Sequence, residues 1–515
     1  MSGEHHLARL AERSFERHGD HESLFFEGRW YRSGELFERS CRMAAGLLTL
    51  GIEPGDRVVV LLSNSPDVGV VYSALWRAGA AITPLIFLVG PDELRRVLEH
   101  SGARAIVTSA EFLPSVVGAV KGLKALRHVV VSGGPMVGVP AEAPHVVSLE
   151  HLTEALPGEM VPRGDDDMAA LMYTGGTTGR AKGVVLSHRN LWSCAKSSTD
   201  SSFVPGLTRT IVPLPLSHAF GLIATIVGMH VPEAGLAVLM RWFDPADFLR
   251  LVEEHRVQRA TVVPSMLQIL LGTPLEDHDL SSLQVVNCGA APLPRETLEA
   301  FERRVPCAQI LEGYGCTESG AVVSVNRPGE RRLGTVGTPI PGYEVRIVDE
   351  SGRPLPPGEI GEVCVRSPGV MGGYWKDPEA SEQALRGGWL HTGDVGSVDE
   401  DGFLAVVDRM KDLIIRGGFN VFPRDVEDVL VEHPAVAMAG VVGRPDERYG
   451  EEIVAFVSLR SGVEATPEEI VAFARERLNA TKYPREVVVL PAIPMTPVGK
   501  VDRKALRGLG SISPR

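Results

Sequence analysis

Short continuous apolar runs alternating with helical stretches constrain this chain more than any other feature. Residues 58–62, 80–84, 105–108 and 128–131 read as buried strands. Ser33 precedes a helical pattern through Leu36, Phe37, Met43, Leu47 and Leu48 that stops at Gly51, and Asn64-Ser65-Pro66 opens another that runs out near Gly79. Buried strands separated by helices imply a mostly parallel sheet covered on both faces. The alternation resumes with strand candidates at 211–214, 260–263 and 285–287, and a helix candidate at 247–255. In such sheets ligands gather beyond the carboxyl ends of the strands. From about Gly334 the texture changes: glycine and proline punctuate short β-type runs at 345–348, 362–366 and 403–407, a small antiparallel region. Near Asp408 to Lys411 a compact segment begins, helical at 426–431 and 467–478 and extended at 436–442 and 453–459. The expected fold class is α/β: a large N-terminal domain of α/β layers plus a small β region over residues 1–410, then a small α+β domain over 411–515. A chain of 515 residues exceeds what one core sustains.

Charge and cysteine usage narrow the function classes. A formal net charge of -13 argues against nucleic acid as a general partner, since binding it needs a basic face. The six cysteines (Cys41, Cys194, Cys288, Cys307, Cys316, Cys364) contain no C-x-x-C pair, which fits reduced thiols better than a disulfide frame or a zinc site. Residues 220–229 form an uncharged apolar run too short to span a bilayer, of buried-helix length. Residues 1–13 are charged and lack the apolar core of a signal peptide. A soluble, cytoplasmic protein is expected.

Five stretches carry chemistry. The first is Tyr173-Thr174-Gly175-Gly176-Thr177-Thr178-Gly179-Arg180-Ala181-Lys182-Gly183, set between apolar runs. Its glycines let backbone N–H groups approach a ligand, and its hydroxyls and ammonium complete a cradle for a polyphosphate. It is not a Walker A loop, because Ala181 precedes the lysine and Gly183 follows it. A plain surface loop would have the same composition. In Glu312-Gly313-Tyr314-Gly315-Cys316-Thr317-Glu318 the ring can stack on a base and the acid can hold a hard cation, although a turn leading into a helix N-cap reads equally well. Asp394, after Thr392 and Gly393, suits ribose hydroxyls or ordinary turn chemistry. Asp408-Arg409-Met410-Lys411-Asp412 is dense charge, by default a solvated face, and Pro497-Val498-Gly499-Lys500 places one lysine on a loop.

In order and wording these five resemble the adenylate-forming superfamily, in its acyl-CoA synthetase branch, over nearly the whole chain. The resemblance implies a two-step reaction: a carboxylate attacks the α-phosphorus of Mg-ATP, giving acyl-AMP and pyrophosphate, and a thiol then displaces AMP. Carried over residue by residue, Thr174, Gly175, Gly176, Thr177, Thr178 and Lys182 would hold the β- and γ-phosphates, and Thr174 and Glu318 would serve Mg²⁺. Gly289, Ala290, Ala291, Pro292 and Tyr314 would sandwich adenine, with Glu312, Gly313, Gly315 and Thr317 beside AMP. Asp394 and Arg409 would fix the ribose. Lys500 would bridge the carboxylate and the α-phosphate, making Lys500, Glu318 and Thr174 the catalytic set. The small domain would be mobile, swinging about Lys411 to bring Arg416, Gly417, Gly418 and Phe419 to a pantetheine tunnel. Gly175 departs from the family, which usually has Ser or Thr there, so one hydroxyl donor is missing.

Leu216-Ser217-His218-Ala219-Phe220-Gly221 resembles the acyl-CoA synthetase version of the acid-pocket motif. His218, Phe220, Gly221, Leu222 and Val263 are candidate pocket residues, with Ile223, Val227 and Met266; ordinary core has the same composition. Residues 217–229 offer no cation except His218, and an unpaired buried charge is costly. The substrate expected is therefore a carboxylic acid with an apolar tail, a fatty acid first and an aryl acid as the alternative. CoA is the expected acceptor, with a phosphopantetheinyl carrier protein as runner-up. A silent nucleotide- or acyl-CoA-binding protein is the non-enzyme alternative. The oligomeric state is left open, a homodimer included.

Overall fold

The computed structural model describes residues 3–134, 144–174, 181–496 and 499–510. Two large sheets form the N-terminal part. One runs Gly373–Tyr374, Lys182–Ser187, Met168–Thr174, Ala81–Pro84, Arg57–Leu61, Ala105–Ser109, His128–Ser132, His145–Ser148 from edge to edge. From Met168–Thr174 to His145–Ser148 it is parallel, and the Lys182–Ser187 strand returns antiparallel on Met168–Thr174. The second has nine strands, whose parallel middle runs Gln309–Tyr314, Val285–Cys288, Arg259–Val262, Arg209–Val212, Leu236–Leu239, Glu22–Phe26. The expected parallel α/β layers are present, with strand ends shifted by one or two residues from the apolar runs.

Helices cover both sheets, and each apolar run finds its face. The Pro66–Arg77 helix buries Trp76 completely, and the indole N–H donates to Ala169 O at 3.0 Å. Asn64 ties the sheets together. Its amide donates to Leu214 O at 2.8 Å and Met240 O at 2.9 Å, and its oxygen accepts from Leu216 N at 2.8 Å. With three bonds made, a buried amide adds directionality where apolar packing alone would not. The apolar run at 220–229 is a helix, Ala219–His230, as its length implied. Among the described residues no helix is long and apolar enough to cross a membrane.

The antiparallel region is a four-stranded sheet ordered Glu344–Val348, Gly361–Arg366, Leu390–Val398, Leu404–Arg409. Beyond it lies a small C-terminal domain: Phe419–Val421, Ile414–Arg416, Gly450–Leu459 and Val436–Asp446 form the sheet, with Glu486–Val489 joined parallel to Gly450–Leu459. Its apolar clusters begin at Ile414 and share no member with the large domain's, which end at Leu404. All six cysteines are free.

Candidate functional site

The carboxyl ends of two adjacent parallel strands build the centre of the site. Val285–Cys288 runs out into Gly289, Ala290, Ala291 and Pro292, with Ala290 held in the left-handed region at φ 72°. Beside it Gln309–Tyr314 ends at the aromatic ring. A Cβ on Gly289 would stand 3.1 Å from Gly313 O and 3.6 Å from the Phe220 ring, so the strand ends lie backbone against backbone. Gly315 is tighter still, since a Cβ there would fall 1.9 Å from Ala321 O. We expect Gly315→Ala to displace the Tyr314 turn and cost about 3 kcal/mol, the upper range for overpacking. A urea midpoint equal to the parent's would contradict that crowding.

A cavity of about 2120 Å³ opens over these strand ends and runs between the two domains. Asp394 enters it from the four-stranded sheet, where it is the cross-strand partner of Arg409. The carboxylate is buried, accepts from Tyr314 OH at 2.6 Å and pairs with Arg409 Nε at 3.0 Å. Burial and the neighbouring Asp394 charge hold the Tyr314 phenol well above its ordinary pKa, so it stays a donor. Burial pushes Glu312 up to about 7, against the pull of Arg424 and Arg331.

On the opposite wall, Thr174 ends one strand and Lys182 begins the next, and the two are cross-strand partners. Gly175, Gly176, Thr177 and Thr178 lie outside the described residues. The Lys182 ammonium sits 4.8 Å from the centre of the Tyr374 ring, and Tyr374 OH donates to Glu318 Oε1 at 3.1 Å. Tyr374 carries no motif signal. Its strand, Gly373–Tyr374, pairs with Lys182–Ser187, and only that tertiary pairing brings the ring under the lysine. Thr174 and Glu318 both face the cavity. The Thr174 hydroxyl and the Glu318 oxygen left free by Tyr374 are hard donors that fit Mg²⁺.

Lys500 comes from the small domain. Gly499, at φ 75°, tucks so closely onto the large domain that a Cβ would meet Ser265 Oγ at 2.8 Å and Val263 Cγ2 at 3.0 Å. Lys500 N donates to Thr496 Oγ1 at 3.1 Å, and Thr496 N to Lys500 O at 2.7 Å, closing the turn. The ammonium's pKa is lowered by burial and by Arg409, while Asp394 and Glu318 oppose the shift. His218 caps the Ala219–His230 helix, its Nδ1 accepting from Phe220 N at 3.3 Å. Burial, then Lys500, lowers His218 to about 4, so the imidazole is neutral at pH 7.

Thr174, Lys182, Gly289 to Pro292, Glu312 to Gly315, Thr317, Glu318, Asp394, Arg409, Lys411 and Lys500 therefore meet at one cavity, with His218 and Phe220. Four expected pocket residues do not line it, among them Met266, which packs against the core of the second sheet. Leu222 is 0% exposed in the large domain's core, because its helical position faces away from the cavity. Gly221 lies where a Cβ would be 2.1 Å from Pro215 O, so its role is close backbone packing. Val263 closes against Gly499 instead. Gly417, Gly418, Arg416 and Phe419 also lie away from the cavity. They form the Ile414–Arg416/Phe419–Val421 hairpin, where Arg416 pairs with Glu452 at 2.6 Å and Phe419 is 60% exposed. Lys411 sits in the single turn Met410–Asp412 that joins the two domains.

Comparison with known proteins gives a consistent picture. The family model described as AMP-binding enzyme matches residues 11–375, and that of the AMP-binding enzyme C-terminal domain matches 425–500. A feruloyl-CoA synthase of Amycolatopsis sp is 38% identical over 81% of this chain and 81% of its own length. A medium/long-chain fatty-acid–CoA ligase of Mycobacterium tuberculosis is 34% identical over 98% of this chain and 90% of its own. The crystal structure of an anthranilate CoA ligase in complex with anthranoyl-AMP superposes with a TM-score of 0.91 at 28% identity, covering 98% of this chain and 97% of that one.

Proposed function

The chain belongs to the AMP-binding, adenylate-forming enzyme family, and from that premise we propose that it is an ATP-dependent acid–CoA ligase acting on a largely apolar carboxylic acid. The observation that carries the reading is Lys500. A lysine from the small domain is seated on the large domain's strand ends, among Asp394, Arg409 and Glu318. Bringing a carboxylate against a polyphosphate needs charge neutralisation and positioning more than any covalent help from the protein. Lys500 meets that need as a point charge between the attacking carboxylate and the α-phosphate. Lys182, with Gly175, Gly176, Thr177 and Thr178, is assigned to the departing pyrophosphate. Thr174 and Glu318 would hold Mg²⁺, which supplies further neutralisation of the phosphates when bound. Gly289 to Pro292 and Tyr314 flank the adenine, and Asp394 with Arg409 holds the ribose.

Adenylation forms the acyl–phosphate bond and releases pyrophosphate; the CoA thiol then forms the thioester and releases AMP. We place the domain boundary at 410/411 and the hinge at Lys411. Rotation there would withdraw Lys500 and bring the Arg416–Phe419 hairpin, with its two positive-φ glycines, to the cavity. Apolar side chains beyond Phe220, among them Ile223, Val227, Val212 and Leu239, support a fatty acid. The names of the feruloyl and anthranilate relatives favour an aryl acid as the second reading. Six free thiols support a reducing, cytoplasmic setting.

Pyrophosphate release measured with a panel of alkyl and aryl acids, followed by CoA consumption, tests the proposal. The expected result is release with one group of acids and stoichiometric loss of free thiol. No pyrophosphate with any acid would overturn the enzyme reading. ATP–pyrophosphate exchange without CoA consumption would point to a carrier protein as acceptor.

A further inference from the structure

The acyl side of the cavity carries one cation that the adenylation chemistry does not use. Arg259 opens the strand Arg259–Val262, whose alternation sends Ala260 and Val262 into the core behind the sheet and Arg259 and Thr261 to the cavity. Thr210, the cross-strand partner of Arg259, lines the same wall. At the other end of this strand Val263 touches the Gly499 turn that presents Lys500. Four residues of strand separate the two ends, about 13 Å. Arg259 thus stands at the far end of the acyl side, and the wall between carries Thr210 and Thr261 beside the apolar Val212, Ala237 and Leu239.

Its guanidinium is under-used. Of the five N–H donors an arginine offers, Nη2 donates to Ser202 O at 2.8 Å, at the end of the His188–Ser202 helix. Among the described residues no carboxylate stands within ion-pair range of it. Glu233, which also lines the cavity, accepts from Gly206 N at 2.9 Å and makes no ion pair with Arg259. Burial lowers the Arg259 pKa without a compensating acid. Capping a helix end accounts for one donor, whereas Arg241 and Arg304 each spend two nitrogens on a glutamate.

We propose that Arg259 is a specificity-determining residue that receives an oxygen acceptor, a second carboxylate or a phenol oxygen, at the distal end of the acid. The inference rests on the ligase reading above and refines it: the acid is apolar along its length and polar at its tip. Free acids about the length of the strand, such as 4-substituted cinnamates and eight-carbon chains, would place that oxygen at the guanidinium.

The test uses the full-length chain and pyrophosphate release. Cinnamate is compared with 4-hydroxycinnamate and 4-carboxycinnamate, and octanoate with 8-hydroxyoctanoate and octanedioate. We expect the acceptor-bearing member of at least one series to be preferred by about 10- to 100-fold in kcat/KM, the worth of a hydrogen bond to a charged group, mainly through KM. Arg259→Met should collapse that ratio toward one, and Arg259→Lys should retain part of it for the dicarboxylate and less for the phenol. Equal kcat/KM for plain and acceptor-bearing acids in the parent overturns the proposal while leaving the ligase reading intact, and this comparison needs no variant to fold. A ratio unchanged in Arg259→Met overturns it as well. No pyrophosphate with any acid removes the ligase reading first.

Discussion

Replacing Lys500 by alanine is expected to lower adenylation by at least about 10²- to 10³-fold, the cost of losing one preorganised charge at a developing anion, while largely sparing thioester formation from supplied acyl-AMP. ATP–pyrophosphate exchange reads the first step and CoA consumption with synthetic acyl-AMP reads the second. Equal loss of both would refute the assignment of Lys500 to one step only. The pH dependence follows from the environment of the ammonium. Burial and Arg409 favour the neutral amine, so the folded pKa lies below that of an ordinary lysine. The proton needed for adenylation is then lost at lower pH than the usual lysine range, about 10.4. kcat/KM should show an alkaline limb beginning below that value. Lys500→Arg should lack the limb, because a guanidinium remains charged. An identical limb in that variant would assign it to another group.

Asp394→Ala is expected to raise the KM for ATP by about 10- to 100-fold, as removal of charged hydrogen-bond acceptors does. The same change strips Tyr314 of its acceptor and Arg409 of its counter-ion. Because the Arg409 side chain stays 44% exposed, solvent repays part of that loss, and we expect about 1–3 kcal/mol of destabilisation rather than the full cost of an orphaned buried charge. Asp394→Asn keeps one acceptor oxygen and should fall between the parent and alanine. An unchanged ATP KM in both variants would remove Asp394 from the nucleotide site, whatever their stability.

The fold was legible where periodicity is local. The helix at Ser33–Thr49 follows from its apolar spacing and the Gly51 stop, and the buried strand at Arg57–Leu61 from its unbroken valines. Pocket membership was not legible in the same way. Phe220 and Leu222 are both apolar on one helix, yet Phe220 lines the cavity and Leu222 is core. Tyr374 and Arg259 went unsuspected for a related reason. Each reaches the cavity through strands paired across long sequence distances, and neither sits in a motif. An arginine two residues before a threonine on an otherwise buried strand was the one available hint of Arg259.

By itself, the sequence determined the class of fold, the family and the order of the motif residues, because spacing, glycine placement and charge are written locally along the chain. The tertiary structure alone decided that Lys500 and Asp394 share one cavity, that Lys182 lies against Tyr374, and that a half-buried arginine, with no acid partner among the described residues, lines the same cavity. Those facts depend on which strand ends are brought together and on which direction each side chain faces once they are. Alternation along a strand says that two faces exist, and only packing says what each face meets.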